Sequence, residues 1–266
     1  MPLYKQPALP WLQAGDDFPT VSSAWSADSP APGLLAAGGA LDVATLQRAY
    51  ASGIFPWYSA GQPTLWWSPD PRMVLQVADF KLHRSLRKTL QKFKDDPACE
   101  IRINHGFEAV MQACAKSPRK AQHADAVDAG NSAAPHTWIQ PEMVVAYTAL
   151  HHAGTAHSVE TWVNGQMVGG LYCTALGAVV FGESMFSRAS DASKIALCAL
   201  VALCRAQGVQ RIDCQQNTAH LASLGAAEMP RTEFCQHVAL DARKPALKWQ
   251  FEPIYWSTIL PQKLDY

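Results

Sequence analysis

Apolar residues recur at helical spacing in four stretches of the chain. Leu82, Leu86, Leu90 and Phe93 step by four, four and three, which is one face of a helix over residues 81–94. A shorter pattern from Leu41 to Ser52 is opened by Asp42, a residue type suited to an N-cap. Pro141–His152 puts Met143, Val144, Tyr147 and Leu150 on one side, and a helix from about Asp191 to Gln207 stops at Gly208. Its apolar centre, Ile195 to Cys204, is ten residues long and ends at Arg205, far short of the ~20 that cross a bilayer. It is expected to be a buried helix segment. Between the last two helices the pattern turns to strands: His157–Val163, an Asn164-Gly165 turn of the kind two-residue hairpins prefer, and Gln166–Thr174 returning. A third run, Ala178–Gly182, comes next; Val209–Gln215 is a short strand after the helix, and two short helical segments follow. Hairpin, strand, helix, strand, helix predicts an α+β fold in which a helix crosses over to a parallel neighbour.

The first seventy residues follow neither period. They are dense in Pro, Gly and Trp and predict a small, loop-rich N-terminal domain over 1–70, ahead of a larger domain over 71–266. From Gly53 to Leu75, prolines at 56, 63, 69 and 71 forbid a regular helix around Phe55, Trp57, Tyr58, Trp66 and Trp67. Aromatics so closely spaced either fill a core or wall a site for something flat. Residues 118–136 are small, polar and without period, which predicts a surface insertion.

Composition changes this picture little, and charge changes it in one place. The chain is 48% hydrophobic and 17% charged, so it has ample burial material, and 22 basic residues balance 22 acidic ones. With no net charge to steer it, attraction to a polyanion must be local. The 81–94 segment supplies such a patch: six basic residues and no acid, with Arg84, Arg87, Lys88 and Lys92 opposite the apolar stripe. That face is either simply solvated or a track for phosphates. The seven cysteines are odd in number and contain no C-x-x-C pair, suggesting neither a disulfide framework nor a zinc knuckle; they are expected to be mostly small buried hydrophobes. His151, His152 and His157 have no Cys or carboxylate at ligand spacing, so no metal is expected. The N-terminal MPLYKQPALPWLQAGDDFP lacks the basic start and apolar core of a signal peptide, and a cytoplasmic location is expected.

Six longer blocks carry a specific pattern: GIFPWYS, LWWSPDPR, HTWIQPEMVVAYTALHHAGTAHSVETW, VGGLY, FGESMFSRASDASKIAL and IDCQQNTAHLASLGAAEMPR. Together, from about Gly33 to Phe234, they resemble the leucyl/phenylalanyl-tRNA–protein transferases. The resemblance implies a C-terminal domain like the GNAT acyltransferases. It implies transfer of Leu, and less readily Phe, from aminoacyl-tRNA to proteins with an N-terminal Arg or Lys, which marks them for degradation. The implied partners are Leu-tRNA, Phe-tRNA and those proteins, with no cofactor, no membrane and a monomeric enzyme. By the same resemblance Asp213 and Gln215 stand at the reaction centre, Leu171, Phe181 and Leu197 line the aminoacyl pocket, and Trp57 and Trp138 hold the terminal adenosine. The 81–94 helix would then track the tRNA backbone through Arg84, Arg87, Lys88 and Lys92.

The chemistry asks for little. The donor is an ester and the nucleophile an α-amine with an ordinary pKa of about 7.7–8.0, so alignment, a proton acceptor and an oxyanion donor suffice. Asp213 and Gln215 alternate at the end of the strand RIDCQ and should leave the same face. Asp213 would polarise, or take a proton through, Gln215 while Gln215 orients the amine. Glu183, a carboxylate in an apolar stretch, needs a partner: an amino group of the acceptor or donor, or structurally Arg188. Two other classes fit part of the pattern. A coenzyme A-dependent N-acetyltransferase would need the glycine-rich phosphate turn that SRASDAS replaces, and a non-catalytic RNA-binding protein would leave Asp213, Gln215 and Glu183 without purpose.

Overall fold

The computed structural model describes residues 8–117 and 139–260. The 118–136 insertion and Trp138 lie outside the described residues. Four short strands, β1 (Trp11–Leu12), β2 (Leu34–Gly38), β3 (Phe55–Pro56) and β4 (Leu65–Trp67), form a small sheet in the order β1-β2-β4-β3. The larger sheet holds β5 (Arg72–Gln76), β6 (Cys99–Ile103), β7 (Ala156–Val163), β8 (Gln166–Leu176), β9 (Val179–Ser187), β10 (Arg211–Gln215) and β11 (Ala227–Met229). Their order is β11-β5-β10-β9-β8-β7-β6. All neighbours are antiparallel except β9 and β10, which run parallel. The helices are α1 (Val43–Ala51), α2 (Arg84–Asp95), α3 (Phe107–Lys116), α4 (Pro141–His152), α5 (Ala192–Ala206), α6 (Ala219–Ser223) and α7 (Arg231–Asp241).

The architecture is thus α+β, and α5 is the crossover that links the parallel pair. The sheet separates two cores. On one face α1, α3, α4, α7 and the small sheet pack over Val74, Tyr172 and Phe181. On the other, α5 and the apolar stripe of α2 (Leu86, Leu90, Phe93) cover Met73, Leu75, Leu171, Val180 and Ile212. Alternation along β5, β9 and β10 sends adjacent residues to opposite cores, as a period of two requires. Gly169 allows α5 its close approach, since a Cβ there would stand 2.5 Å from that of Ala192.

Most of the expected elements stand near their expected bounds. Asp42 caps α1 by accepting from the Thr45 N–H at 2.8 Å, and the hairpin turns at Asn164-Gly165. Helix α2 begins at Arg84 rather than at 81. Lys81 and His83 are held to the turn after α6, the Lys81 N–H donating to Leu224 O at 2.8 Å and His83 Nε2 lying 2.7 Å from Ser223 O. Of the cysteines, 114, 173, 198 and 204 are buried, and 99, 214 and 235 are partly so. Among the described residues no helix is long and apolar enough to cross a membrane.

Candidate active site

Strands β9 and β10 pair only at Val180–Ile212 and Phe181–Asp213. Beyond that point both are irregular. On β9, Tyr172 pairs with Ser184 and Cys173 with Gly182, which leaves Glu183 as the extra residue of a bulge, a device that re-aims a side chain. On β10 the register against β5 shifts between Asp213 and Gln215, and Gln215 sits at φ +62. A left-handed non-glycine residue costs on the order of 1–3 kcal/mol and persists only where its surroundings enforce it. The parallel strands part here, and the two irregular residues meet across the gap: Gln215 Nε2 donates to Glu183 Oε1 at 3.1 Å.

Glu183 is fed from the other side by helices. Tyr50 on α1 donates to the same Oε1 at 2.7 Å, and its hydroxyl lies 2.5 Å from that of Tyr147 on α4. Oε2 is buried and has no hydrogen-bond partner among the described residues. Burial, aided by the nearby Asp213 charge, pushes the carboxyl up to about 7, against the opposing hydrogen bonds from Tyr50 and Gln215 and the charge of Arg72. Burial, then the adjoining carboxylate, holds both tyrosines well above their usual range, so they stay donors. The result is a carboxyl raised toward neutrality by burial, with one oxygen unengaged among the described residues, an arrangement able to bind an amine or exchange a proton with it.

Asp213 has no unengaged oxygen. Its side chain is 0% exposed, and Arg72 on β5 grips it with both arms, Nε to Oδ1 at 2.8 Å and Nη2 to Oδ2 at 2.6 Å. Oδ1 also accepts the Gln215 backbone N–H at 2.9 Å. Asp213 and Gln215 do come together with Glu183, but Asp213 touches the gap only through Gln215. Arg188 is not the partner of Glu183: it lies over the Phe186 ring and donates to Met167 O.

The three expected pocket residues are divided by the sheet. Phe181 packs on Tyr50, ring centroids 5.0 Å apart, on the Glu183 face. Leu171 and Leu197 lie in the opposite core, where Leu171 pairs across the strands with Met185, a partly buried residue beside the bulge. The parity of β8 and β9 imposes this division. Trp57 is half-buried at the end of β3, edge-on to Trp67 at 5.4 Å, with the Trp67 indole N–H donating to its carbonyl. Next to it a cavity of about 480 Å³ opens between the β3–β4 loop and the start of α4, lined by Tyr58, Gln62, Gln140 and Glu142 among others. Arg84, Arg87, Lys88 and Lys92 are all exposed on α2 and form no ion pair among the described residues.

Sequence reasoning missed Arg72, Tyr50 and Met185 as site residues, and placed Tyr147 only as core. The signals were faint: an arginine heading the apolar strand RMVLQ, and an Asp213 with no stated partner.

The family models and the sequence relatives agree with one another. The model of the family described as leucyl/phenylalanyl-tRNA protein transferase matches residues 74–239, and that of its N-terminal domain residues 39–70. Leucyl/phenylalanyl-tRNA–protein transferases are 60% identical in Polaromonas sp. strain JS666 (95% of this chain, 94% of that one) and 58% in Albidiferax ferrireducens (96% and 95%). The protein of that name in Methylibium petroleiphilum is 54% identical (94% and 90%). Among solved structures, L-PGS from Bacillus licheniformis aligns over 69% of this chain and 53% of that one at 8% identity, with a TM-score of 0.34 that decides nothing. On the sequence match over nearly its whole length, the chain belongs to the leucyl/phenylalanyl-tRNA protein transferase family.

Proposed function

We propose that this tRNA-dependent aminoacyltransferase moves Leu, and less readily Phe, onto the N-terminal Arg or Lys of acceptor proteins, working as a cytoplasmic monomer. The observation that carries the reading is Glu183: a buried carboxyl near neutrality at a break in the sheet, with Oε2 unengaged among the described residues. In the reaction the acceptor amine attacks the ester carbonyl, the C–N bond forms, the bond to the ribose oxygen breaks, and the proton lost by nitrogen ends on that oxygen. Glu183 binds an amino group through Oε2. Gln215 orients the attacking amine, and Asp213 acts through Gln215.

The leucyl side chain is assigned to the α5 side of the gap, against Leu171, Leu197 and Met185, with Phe181 backing Glu183 instead. A thioether adapts its shape to both Leu and Phe, and an apolar slot separates side chains by only ~1–3 kcal/mol per methylene. Trp57 stacks the terminal adenosine, a contact worth roughly 1–3 kcal/mol; Trp138 keeps the same assignment. The α2 cations hold the tRNA body. A domain division at residue 70, with a GNAT-like catalytic part after it, accords with the parallel β9–β10 pair that parts at the site.

The coenzyme A reading finds no support at the start of α5. The Ser193 N–H there is taken by Ser187 Oγ at 2.9 Å, and Asp191 brings a negative charge paired with Lys194. The test is transfer of radiolabelled leucine from Leu-tRNA to a peptide beginning with Arg, beside the same peptide beginning with Ala, without ATP or metal. Label on the Arg peptide alone is expected. Label on neither, from folded protein that still binds the tRNA, would favour the RNA-binding reading.

A further inference from the structure

Arg72 is buried as completely as any residue in the protein, at 0% exposure. Besides its two bonds to Asp213 it donates through Nη1 to Gly53 O at 3.1 Å. Its guanidinium lies between two rings, 4.7 Å from Phe55 and 4.6 Å from Phe234. One side chain thus joins the end of α1, β3, β5, β10 and α7. Gly53 is at φ +73, a conformation that strains any side chain, and a Cβ there would crowd Phe234 and Cys235 at 3.1 and 3.0 Å, so glycine suits the turn that presents this carbonyl to Arg72. Such a planar, five-donor fork fixes direction as well as charge, which an ammonium does not.

That direction is passed on through three bonds. Arg72 fixes the Asp213 carboxylate plane, Oδ1 takes the Gln215 N–H, and residue 215 is thereby held left-handed with its carboxamide on Glu183. We propose that Arg72 is a positioning residue of the transfer reaction, which sets the conformation of Gln215 through Asp213 and so aims Gln215 at Glu183 and the incoming amine. It touches no substrate. The proposal rests on the reading of Glu183 and Gln215 given above.

The test compares Arg72→Lys, Phe234→Leu and Glu183→Gln with the parent protein, each checked for folding by thermal unfolding and for active fraction by single-turnover titration. Arg72→Lys keeps the charge and loses the fork. Its kcat should fall on the order of 100-fold, with KM for Leu-tRNA and for the Arg peptide within about threefold. The acid limb of its kcat–pH profile should move upward, because the Gln215 hydrogen bond that favours ionised Glu183 is loosened. Phe234→Leu takes one ring from the guanidinium and alters no polar group, so it serves if Arg72→Lys fails to fold. It should shift kcat and the acid limb in the same directions by a smaller amount. A merely structural Arg72 would lower the unfolding temperature or the active fraction and leave kcat per active molecule and the pH profile as in the parent; that result overturns the proposal. If Glu183→Gln also transfers normally, the reading of the site falls with it; if Glu183→Gln alone is impaired, only the role of Arg72 falls.

Discussion

On the proposed role of Glu183, a single carboxyl sets function against stability. In the unfolded chain it titrates near 4.5, and in the fold near 7, because burial favours the neutral form. The folded state therefore holds its proton more tightly, and the sign follows: stability is highest below about 4.5 and declines as pH rises to about 7. Glu183→Gln removes that decline. Denaturant unfolding should show the variant more stable than the parent at pH 8, by at most about 3 kcal/mol, and nearly equal at pH 4, while transfer is lost. Tyr50→Phe tests the same carboxyl from the other side. The Tyr50 hydroxyl bond favours the ionised form, so its loss should move the acid limb of the kcat–pH profile upward, with little change in Leu-tRNA binding. An unmoved limb would mean that Glu183 does not titrate in the rate-limiting step.

At the scale of elements, α2 gives the cleanest separation of roles. Leu86, Leu90 and Phe93 dock it, and Arg84, Lys88 and Lys92 repeat every four residues along its exposed side over about 12 Å. Arg84→Ala combined with Lys88→Ala should weaken binding of all aminoacyl-tRNAs alike and flatten the salt dependence by one to two charges, roughly; fluorescence titration at several salt concentrations measures both. Leu90→Ala, at a fully buried position, should instead cost about 2–5 kcal/mol of stability. Both faces of this helix were legible in the sequence because a 3.6-residue period is local information. Strand β6 and helix α3 were not read from it although both carried a signal: CEIRI alternates apolar and polar residues, and Phe107, Val110, Met111 and Cys114 fall at helical spacing on α3. The site was legible in part. The family resemblance of RIDCQ pointed to Asp213 and Gln215, but the strand parity expected to put them on one face does not hold, because the register shifts between them. The bulge at Glu183, the left-handed Gln215 and the grip of Arg72 on Asp213 were not legible, since each depends on which strands become neighbours. The same neighbour relations moved Phe181 away from Leu171 and Leu197.

Across the whole molecule a second buried group balances Glu183. His157 stacks on Trp249 at 3.9 Å, its Nδ1 accepts from Asn104 Nδ2, and its Nε2–H donates to Gly154 O. Burial, helped by His151, lowers its pKa to about 4. The folded state thus resists protonating it, and stability is lost as pH falls from about 6.5 toward 4. The two groups work against each other over nearly one window. The parent protein should show a nearly flat unfolding temperature between pH 5 and 7, and Glu183→Gln should uncover a decline toward acid; calorimetry across that range checks both. A different consequence attaches to the Arg72–Asp213 pair, whose members stand 141 residues apart. The alignment of Gln215 is thus a property of the assembled sheet: it exists only once β5 and β10 have met, and it is lost whenever they part.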